Sequence, residues 1–191
     1  MKLLKFVSIP AFALCTAPLL AAEPSASPAA SPAATPAEYS RQYMSKENFA
    51  SAELGQSKFL HAMLNNANFS GADLKEATFT QCTLSGADFR GAKFSENTKF
   101  LQTNLNDAKF QGTDLGGADF DKSNLRGADL SNTKNIGNLS RAVLDGTDLS
   151  GADLSTAKGL EEVVWKGAVY DGKTIFPAGV DPVALGAVKR D

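Results

Sequence analysis

Large apolar side chains recur at every fifth position through the middle of the chain. Phe or Leu occupies 21 such positions, here called centres, and a small residue stands two places before 20 of them, with Glu47 as the exception. Between the first and last centres, Leu60 and Leu101 are the only Phe or Leu residues that fall outside this frame. Such regularity indicates an internal repeat that governs the fold. The centres are Phe49, Leu54, Phe59, Leu64, Phe69, Leu74, Phe79, Leu84, Phe89, Phe94, Phe100, Leu105, Phe110, Leu115, Phe120, Leu125, Leu130, Leu139, Leu144, Leu149 and Leu154.

A five-residue period fits neither of the common secondary structures. Centres on an α-helix would be spread around its surface, and centres on a continuous strand would alternate between its two faces. Asp or Asn often stands just before a centre and Gly two places after it, as Asn68 and Gly71 do around Phe69. Both residue types favour turns. The pattern predicts a chain that turns a corner every five residues, closes each coil with four corners, and stacks coils about 4.8 Å apart.

The register of the repeat predicts how the centres stack. Every fourth centre should lie on the same face of the coil, so two columns of phenylalanine should face each other across the core. The first column would contain Phe49, Phe69, Phe89 and Phe110, and the opposite column Phe59, Phe79, Phe100 and Phe120.

Two irregularities interrupt the frame. One residue is inserted within Ser95–Lys99, which predicts a bulge. The frame is restored within Asn132–Asn138, where the pattern is consistent with either a shortened repeat or a small extruded loop. Both are candidate binding features because a break in a regular solenoid is visible from outside. The plainer interpretation is a tolerated change in length.

The repeat units resemble those of the pentapeptide-repeat family. Five of them read Ala-Asp-Leu or Ala-Asp-Phe, and the resemblance covers about Ser45 to Tyr170. It implies an all-β fold, a right-handed quadrilateral β-helix with about six coils over residues 47–170. The resemblance is specific for fold and says little about function. The five units end at Leu74, Phe89, Phe120, Leu130 and Leu154.

The two ends of a solenoid need covers. We expect residues 38–46, with Tyr39, Tyr43 and Met44, to form a short helical N-terminal cap. Residues 171–191 are expected to be a C-terminal closing segment, whose start resembles the segment that ends many domains of the family. The apolar residues around it could close the last coil or form a homodimer interface; they are Val163, Val164, Trp165, Val169, Tyr170, Ile175 and Phe176.

The N-terminal residues carry the pattern of an exported protein. Residues 1–22 combine two lysines, a short apolar run and small residues at 21 and 22, which predicts a signal peptide. The alternative is an uncleaved anchor, which would be the chain's only contact with a membrane. Residues 23–37 have a proline at every fourth position and no large apolar side chain, which predicts a disordered linker. The expected location is therefore periplasmic or secreted.

Composition leaves little material for catalysis. The 191-residue chain has a net charge of −2, or −4 after loss of residues 1–22, so no basic surface is available for nucleic acid. It contains one histidine and two cysteines. His61 should point outward, and Cys82 stands at a small inward position, where a thiol is inert. With Cys15 removed by processing, no disulfide within the chain could form. We expect no enzymatic activity, metal or cofactor.

Aspartates are the one candidate for an interaction surface. Six of them stand just before centres and fall on two adjacent faces, in columns that lysines interrupt. They could form an acidic interaction stripe or a weak cation site. The plainer interpretation is that they close turns on a solvated face. The six are Asp73, Asp88, Asp114, Asp129, Asp148 and Asp153.

These features favour a non-catalytic scaffold or protein-interaction module. Its partner would be an unknown protein or a component of the cell envelope. The alternative is a mimic of DNA, because some pentapeptide-repeat proteins resemble a duplex in shape and charge and bind DNA gyrase. The net charge of −3 over Ser45–Tyr170 is weak for that role.

Overall fold

A computed structural model describes residues 37–191. The predicted signal peptide and all but the last residue of the predicted linker lie outside the described residues. Parallel bridges join residues one coil apart: Glu38 pairs with Lys58, and Tyr43 with Met63. At the same place in three successive coils, the bridges lengthen into short strands. These strands, β1 (Lys58–Leu60), β2 (Thr78–Thr80) and β3 (Lys99–Leu101), form a parallel sheet in that order.

The coils stack into a right-handed quadrilateral β-helix, as the repeat predicts. We number its four faces in chain order by the centres of one coil: Phe59 on face 1, Leu64 on face 2, Phe69 on face 3 and Leu74 on face 4. On each face the centre points inward, and the residue before it lies on the outer surface. The four centres of this coil are 0–1% exposed. Within residues 37–191, no helix has the length and apolar character needed to cross a bilayer.

The two predicted phenylalanine columns are confirmed. On face 3, the rings of Phe49, Phe69, Phe89 and Phe110 stack with centroids 4.9–5.1 Å apart. On face 1, the rings from Phe59 to Phe120 stack at 4.6–5.0 Å. The columns meet edge to face, at 5.4–6.4 Å. Both geometries are favourable for aromatic rings, so the core gains aromatic contacts as well as burial.

The two irregularities compensate for each other in the ladder. Thr78 pairs with Lys99, one residue further along than in the regular coils, because of the insertion. Asn124 pairs with Val143, which is only 19 residues away. The segment 132–138 is therefore a shortened repeat and not an extruded loop. Within this segment Ile136 is fully buried, so the shortened repeat still contributes a large apolar side chain to the core.

The predicted helical cap at residues 38–46 is wrong. This segment bridges to the next coil at Glu38 and Tyr43, so it is itself part of the β-helix. Arg41 and Lys46 adopt left-handed conformations, with φ of 57° and 65°, as corner residues do elsewhere. Tyr39 stacks on Phe59 at 4.8 Å and extends the aromatic column of face 1. The repeat thus begins before residue 47.

The C-terminal segment continues the ladder less regularly. A 3₁₀-helix (Leu160–Glu162) lies at the corner between Lys158 on face 1 and Val164 on face 2. Trp165 behind it is buried and donates its indole N–H to the Leu160 carbonyl at 3.0 Å. Strand β4 (Val169–Tyr170) pairs in parallel with β5 (Val188–Lys189). Tyr170 and Phe176 meet edge to face at 5.4 Å. Four aliphatic side chains of this end are about half exposed or more: Val164, Ile175, Val183 and Val188.

Candidate interaction surface

The six candidate aspartates lie on two neighbouring faces, where the register predicts them. On face 3 the bridges run from Asp88 through Lys109 and Asp129 to Asp148. On face 4 Asp73 pairs with Lys93, and Asp114 pairs with Lys134. Because lysines interrupt the aspartates in both columns, the charges partly cancel along the axis of the solenoid.

Each of the six aspartates closes the turn that follows it. In every case Oδ1 accepts the backbone N–H of the residue two places later, at 2.9–3.2 Å. Asparagines do the same elsewhere, as Asn124 does with the N–H of Arg126 at 3.1 Å. This geometry supports the turn interpretation for one oxygen of each carboxylate. The interaction role stays a prediction, which would depend on the other oxygen.

Two of these carboxylates also pair with arginine. Asp88 accepts hydrogen bonds from Nε and Nη2 of the Arg90 guanidinium, and the shortest contact is 2.6 Å. This interaction with Arg90 lowers the pKa of Asp88. For Asp148, burial acts to raise the pKa, but hydrogen bonds from Ser150 and the ion pair with Arg190 lower it overall. Hydrogen bonds from Ser155 lower the pKa of Asp153. All three carboxylates therefore stay ionised at lower pH than an ordinary aspartate does.

The histidine and the cysteine lie where the sequence predicts. His61 is exposed at a corner and has a φ of 55°. Cys82 is 2% exposed and donates its S–H to the Phe59 carbonyl, with Sγ 3.0 Å from the oxygen. Burial raises the pKa of the Cys82 thiol to about 11. At neutral pH the thiol is therefore protonated and enclosed, which makes it a poor nucleophile.

Inward hydroxyl groups form a second set of contacts that the sequence reasoning missed. Thr103 donates its hydroxyl to the carbonyl of Phe79 in the preceding coil at 2.9 Å, and Thr147 donates to Leu125 at 2.7 Å. These residues stand two places before a centre, at positions that share only a small side chain in the repeat pattern. The signal is the choice of Ser, Thr or Cys in place of Ala at that position. Such bonds link successive coils from inside the core.

The described residues contain no grouping of three or more His, Cys, Asp or Glu side chains that could hold a metal ion. A shallow depression lies at the corner between faces 2 and 3, lined by Asp107, Asp145 and Arg126 among others. Arg126 and Asp145 form an ion pair at 2.7 Å there. Two of the charged side chains that line the depression are therefore already paired with each other.

Comparison with family models gives one match, to pentapeptide repeats in eight copies. The matched segments are residues 48–81, 62–98, 103–134 and 137–158, which together span more than half of the chain. The comparison with curated proteins gave no match.

Solved structures with the same kind of repeat are similar to this chain. A trypsin-treated form of QnrB1, a plasmid-mediated fluoroquinolone resistance protein, is 22% identical over 82% of this chain and 84% of its own, with a TM-score of 0.39. A pentapeptide repeat protein from the Arabidopsis thaliana thylakoid lumen is 31% identical over 48% of this chain and 67% of its own, with a TM-score of 0.28. HetL, from the cyanobacterium Nostoc and involved in heterocyst differentiation regulation, is 21% identical over 79% and 82%, with a TM-score of 0.21.

Proposed function

We propose that this chain, which belongs to the pentapeptide-repeat family, is a non-catalytic, exported scaffold. It would bind a protein or another component of the cell envelope through the outer surface of its β-helix. Its N-terminal residues support export, since they combine a charged start, a short apolar run and small residues.

The observation that carries this proposal is the filled interior of the solenoid. Stacked rings occupy the space between faces 1 and 3, and Phe79 and Phe89 within it are fully buried. A ligand therefore meets only the outer columns, whose side chains are held at a fixed spacing by the backbone ladder. A rigid surface of this kind loses little conformational entropy on binding, which favours recognition of a partner.

The alternative of a DNA mimic has less support from the outer surface. A duplex carries one negative charge for every ~1.7 Å of its axis. On faces 3 and 4, by contrast, Lys93, Lys109 and Lys134 interrupt the aspartate columns. Export would also separate this protein from DNA gyrase.

Cross-linking in cells would test the proposal. The full-length chain would carry a C-terminal tag and a photoreactive amino acid at one outward position, Thr78 on face 1 or Lys109 on face 3. Mass spectrometry would identify both the captured proteins and the N-terminus of the chain. We expect an N-terminus at Glu23 and a recurring envelope protein captured from one face. An intact Met1 with a captured topoisomerase would contradict the proposal and favour the DNA mimic.

A matched variant would separate charge from structure at the candidate aspartates. Replacing all six by asparagine keeps an oxygen that can accept each turn hydrogen bond and removes the negative charge. If the aspartates form the interaction stripe, this variant should fold normally and lose the captured partner. Undiminished capture would assign these residues to turns alone.

A further inference from the structure

The corner between faces 1 and 2 differs from the other corners of the solenoid. We call it the ridge. Its left-handed positions carry long side chains in six successive coils, with φ of 53–57°. Glycine adopts this conformation without strain, and the corner between faces 3 and 4 uses it at Gly71, Gly91 and Gly112. The ridge residues are Arg41, His61, Gln81, Gln102, Lys122 and Arg141.

The ridge carries no carboxylate over its first four coils. The segments that form it and the adjoining face 2 are residues 39–46, 60–66, 80–86 and 101–106, and none contains Asp or Glu. Arg41 is its cation in these coils; Lys58 lies beside it on face 1, next to Glu38 in the ladder, and Lys46 lies at the far edge of face 2. Among the described residues, none of these three cations forms an ion pair. Glu38, on face 1, is the one carboxylate beside the ridge in these coils. The other carboxylates up to residue 106 lie elsewhere, at Glu47, Glu53, Asp73, Glu76, Asp88 and Glu96.

Apolar side chains stand outward on both sides of the ridge. Tyr43 is 83% exposed and Met63 36%, and the two are neighbours in the face 2 ladder. On the face 1 side Leu60 is 39% exposed, and it is aligned through Thr80 with the partly exposed Leu101. Leu60 and Leu101 are the two leucines that fall outside the repeat frame, so the core does not account for them.

We propose that the N-terminal half of the ridge docks on an anionic lipid bilayer. Peripheral membrane surfaces combine exposed apolar side chains with nearby cations, and their affinity grows with both. Here a convex edge presents Tyr43, Leu60 and Met63 with Arg41 on the ridge and Lys58 beside it, and the one carboxylate next to them is Glu38 on face 1. A tyrosine also suits the membrane–water interface because its ring is apolar and its hydroxyl is polar.

This docking goes beyond the proposed scaffold role and requires no protein partner. It would fix the orientation of the solenoid on a membrane and leave faces 3 and 4, which carry the candidate aspartates, directed away from it. Failure of the membrane test would leave the cross-linking test of the scaffold unaffected, so the two proposals can fail separately.

Lysine footprinting on vesicles would test the docking. The full-length protein would be acetylated briefly with or without vesicles, and mass spectrometry would give the rate at each lysine. The vesicles would be phosphatidylglycerol mixed with phosphatidylcholine, with pure phosphatidylcholine as the neutral control. We expect acetylation of Lys46 and Lys58 to slow at least five-fold on the anionic vesicles only. Lys109 on face 3 and Lys166 near the C-terminus should react at unchanged rates. An apolar N-terminal segment that binds vesicles would hold the same end of the solenoid near the bilayer, so variants of the ridge are needed to distinguish the two.

Two variants make the test specific. Leu60→Ser/Met63→Ser should remove the protection of Lys46 and Lys58, since both residues are exposed and their replacement leaves the core intact. Ile175→Ser/Val183→Ser removes similar apolar area from the other end, at side chains 52% and 63% exposed, and should keep the protection. Circular dichroism would show that both variants fold.

Three results would overturn the proposal. The first is equal rates at Lys46 and Lys58 with and without anionic vesicles. The second is equal protection of Lys109 and Lys166, which would indicate non-specific adsorption. The third is protection of Lys46 and Lys58 in cells by a captured protein but not by vesicles, which would assign the ridge to a protein partner.

Discussion

The carbonyl oxygen of Phe94 lies where a side chain at Gly116 would begin, 2.7 Å from the position of an ideal Cβ. Phe94 is the last centre before the inserted residue, and Gly116 lies in the coil above it. The same relationship recurs one coil later, where a Cβ on Gly137 would meet the backbone oxygen of Gly117. Glycines therefore accommodate the insertion through two further coils, until the shortened repeat restores the register.

Replacing Gly116 by alanine should be far more destabilising than replacing Gly112. Both have positive φ, of 56° and 69°, which costs an alanine about 1–2 kcal/mol. A Cβ on Gly112 would meet nothing within 4 Å, whereas one on Gly116 would meet three backbone atoms of Phe94 and Ser95. Urea denaturation should show a loss of about 1 kcal/mol for Gly112→Ala and several-fold more for Gly116→Ala. Equal losses of unfolding free energy would mean that the backbone around the insertion moves aside at little cost.

The stacked rings should make Phe89 one of the most sensitive positions of the core. Its ring lies between Phe69 at 5.1 Å and Phe110 at 4.9 Å, and the side chain is fully buried. Phe89→Ala should cost about 3–5 kcal/mol because it opens a cavity. Phe89→Asp should prevent folding because it buries an unpaired charge.

The outward Leu60 provides the control for Phe89. Leu60→Ala should change the free energy of unfolding by about 0.5 kcal/mol or less, as is usual for a surface substitution. Thermal unfolding followed by circular dichroism would compare the three variants. A Phe89→Asp protein that melts at the wild-type temperature would contradict the inward assignment.

The repeat frame allowed the faces and the aromatic columns to be predicted from sequence, because a strict period fixes which residues stack. The start of the solenoid was missed since the frame was defined by Phe and Leu alone. Tyr39 and Met44 occupy the two preceding centre positions, and Met44 is 8% exposed in the core. A frame that accepted any large apolar residue would have included them.

Other features depend on contacts between coils that a single chain pattern does not specify. The shortened repeat at 132–138 depends on Gly137, which lies so close to the backbone of Gly117 that a side chain would not fit. This contact between coils decides against a loop. The positions of the aspartates were predictable, but their role was not. An aspartate at this position suits a turn and an interaction stripe equally well, so the sequence does not distinguish the two roles.

Asp129 allows the turn role to be measured apart from its charge. Its Oδ1 accepts the Ser131 N–H at 2.9 Å and the Ser131 hydroxyl at 2.6 Å. Asp129→Asn retains an acceptor oxygen and should leave the free energy of unfolding nearly unchanged. Asp129→Ala removes the acceptor beside a largely buried serine and should cost about 1–2 kcal/mol. Urea denaturation at neutral pH would compare them.

The reverse exchange at Asn124 is the control for Asp129. Asn124 makes the same turn contact, with the N–H of Arg126, so Asn124→Asp should also be nearly neutral. If Asp129→Asn were as destabilising as Asp129→Ala, the charge and not the turn would be the stabilising feature.

The buried Cys82 thiol should make the stability of the protein fall in alkaline solution. Its pKa is about 11 in the folded chain, against an ordinary value of 9.0, because burial disfavours the thiolate. Between these two pH values the unfolded chain loses the proton and the folded chain keeps it. The free energy of unfolding should therefore decrease from about pH 9 to pH 11, by about 1.4 kcal/mol for each pH unit.

Cys82→Ala isolates this effect from other alkaline titrations. Alanine occupies the equivalent inward position at Ala62 and Ala87, so the variant should fold with a modest loss of stability at pH 7. Urea denaturation under reducing conditions, at intervals from pH 7 to pH 10.5, would compare the two proteins. Below pH 9 their curves should run parallel, and above it the wild type should lose stability faster. If the curves stayed parallel throughout, the thiol would ionise as readily in the folded chain as in the unfolded one, and the coil around Phe59 and Cys82 would be open to solvent.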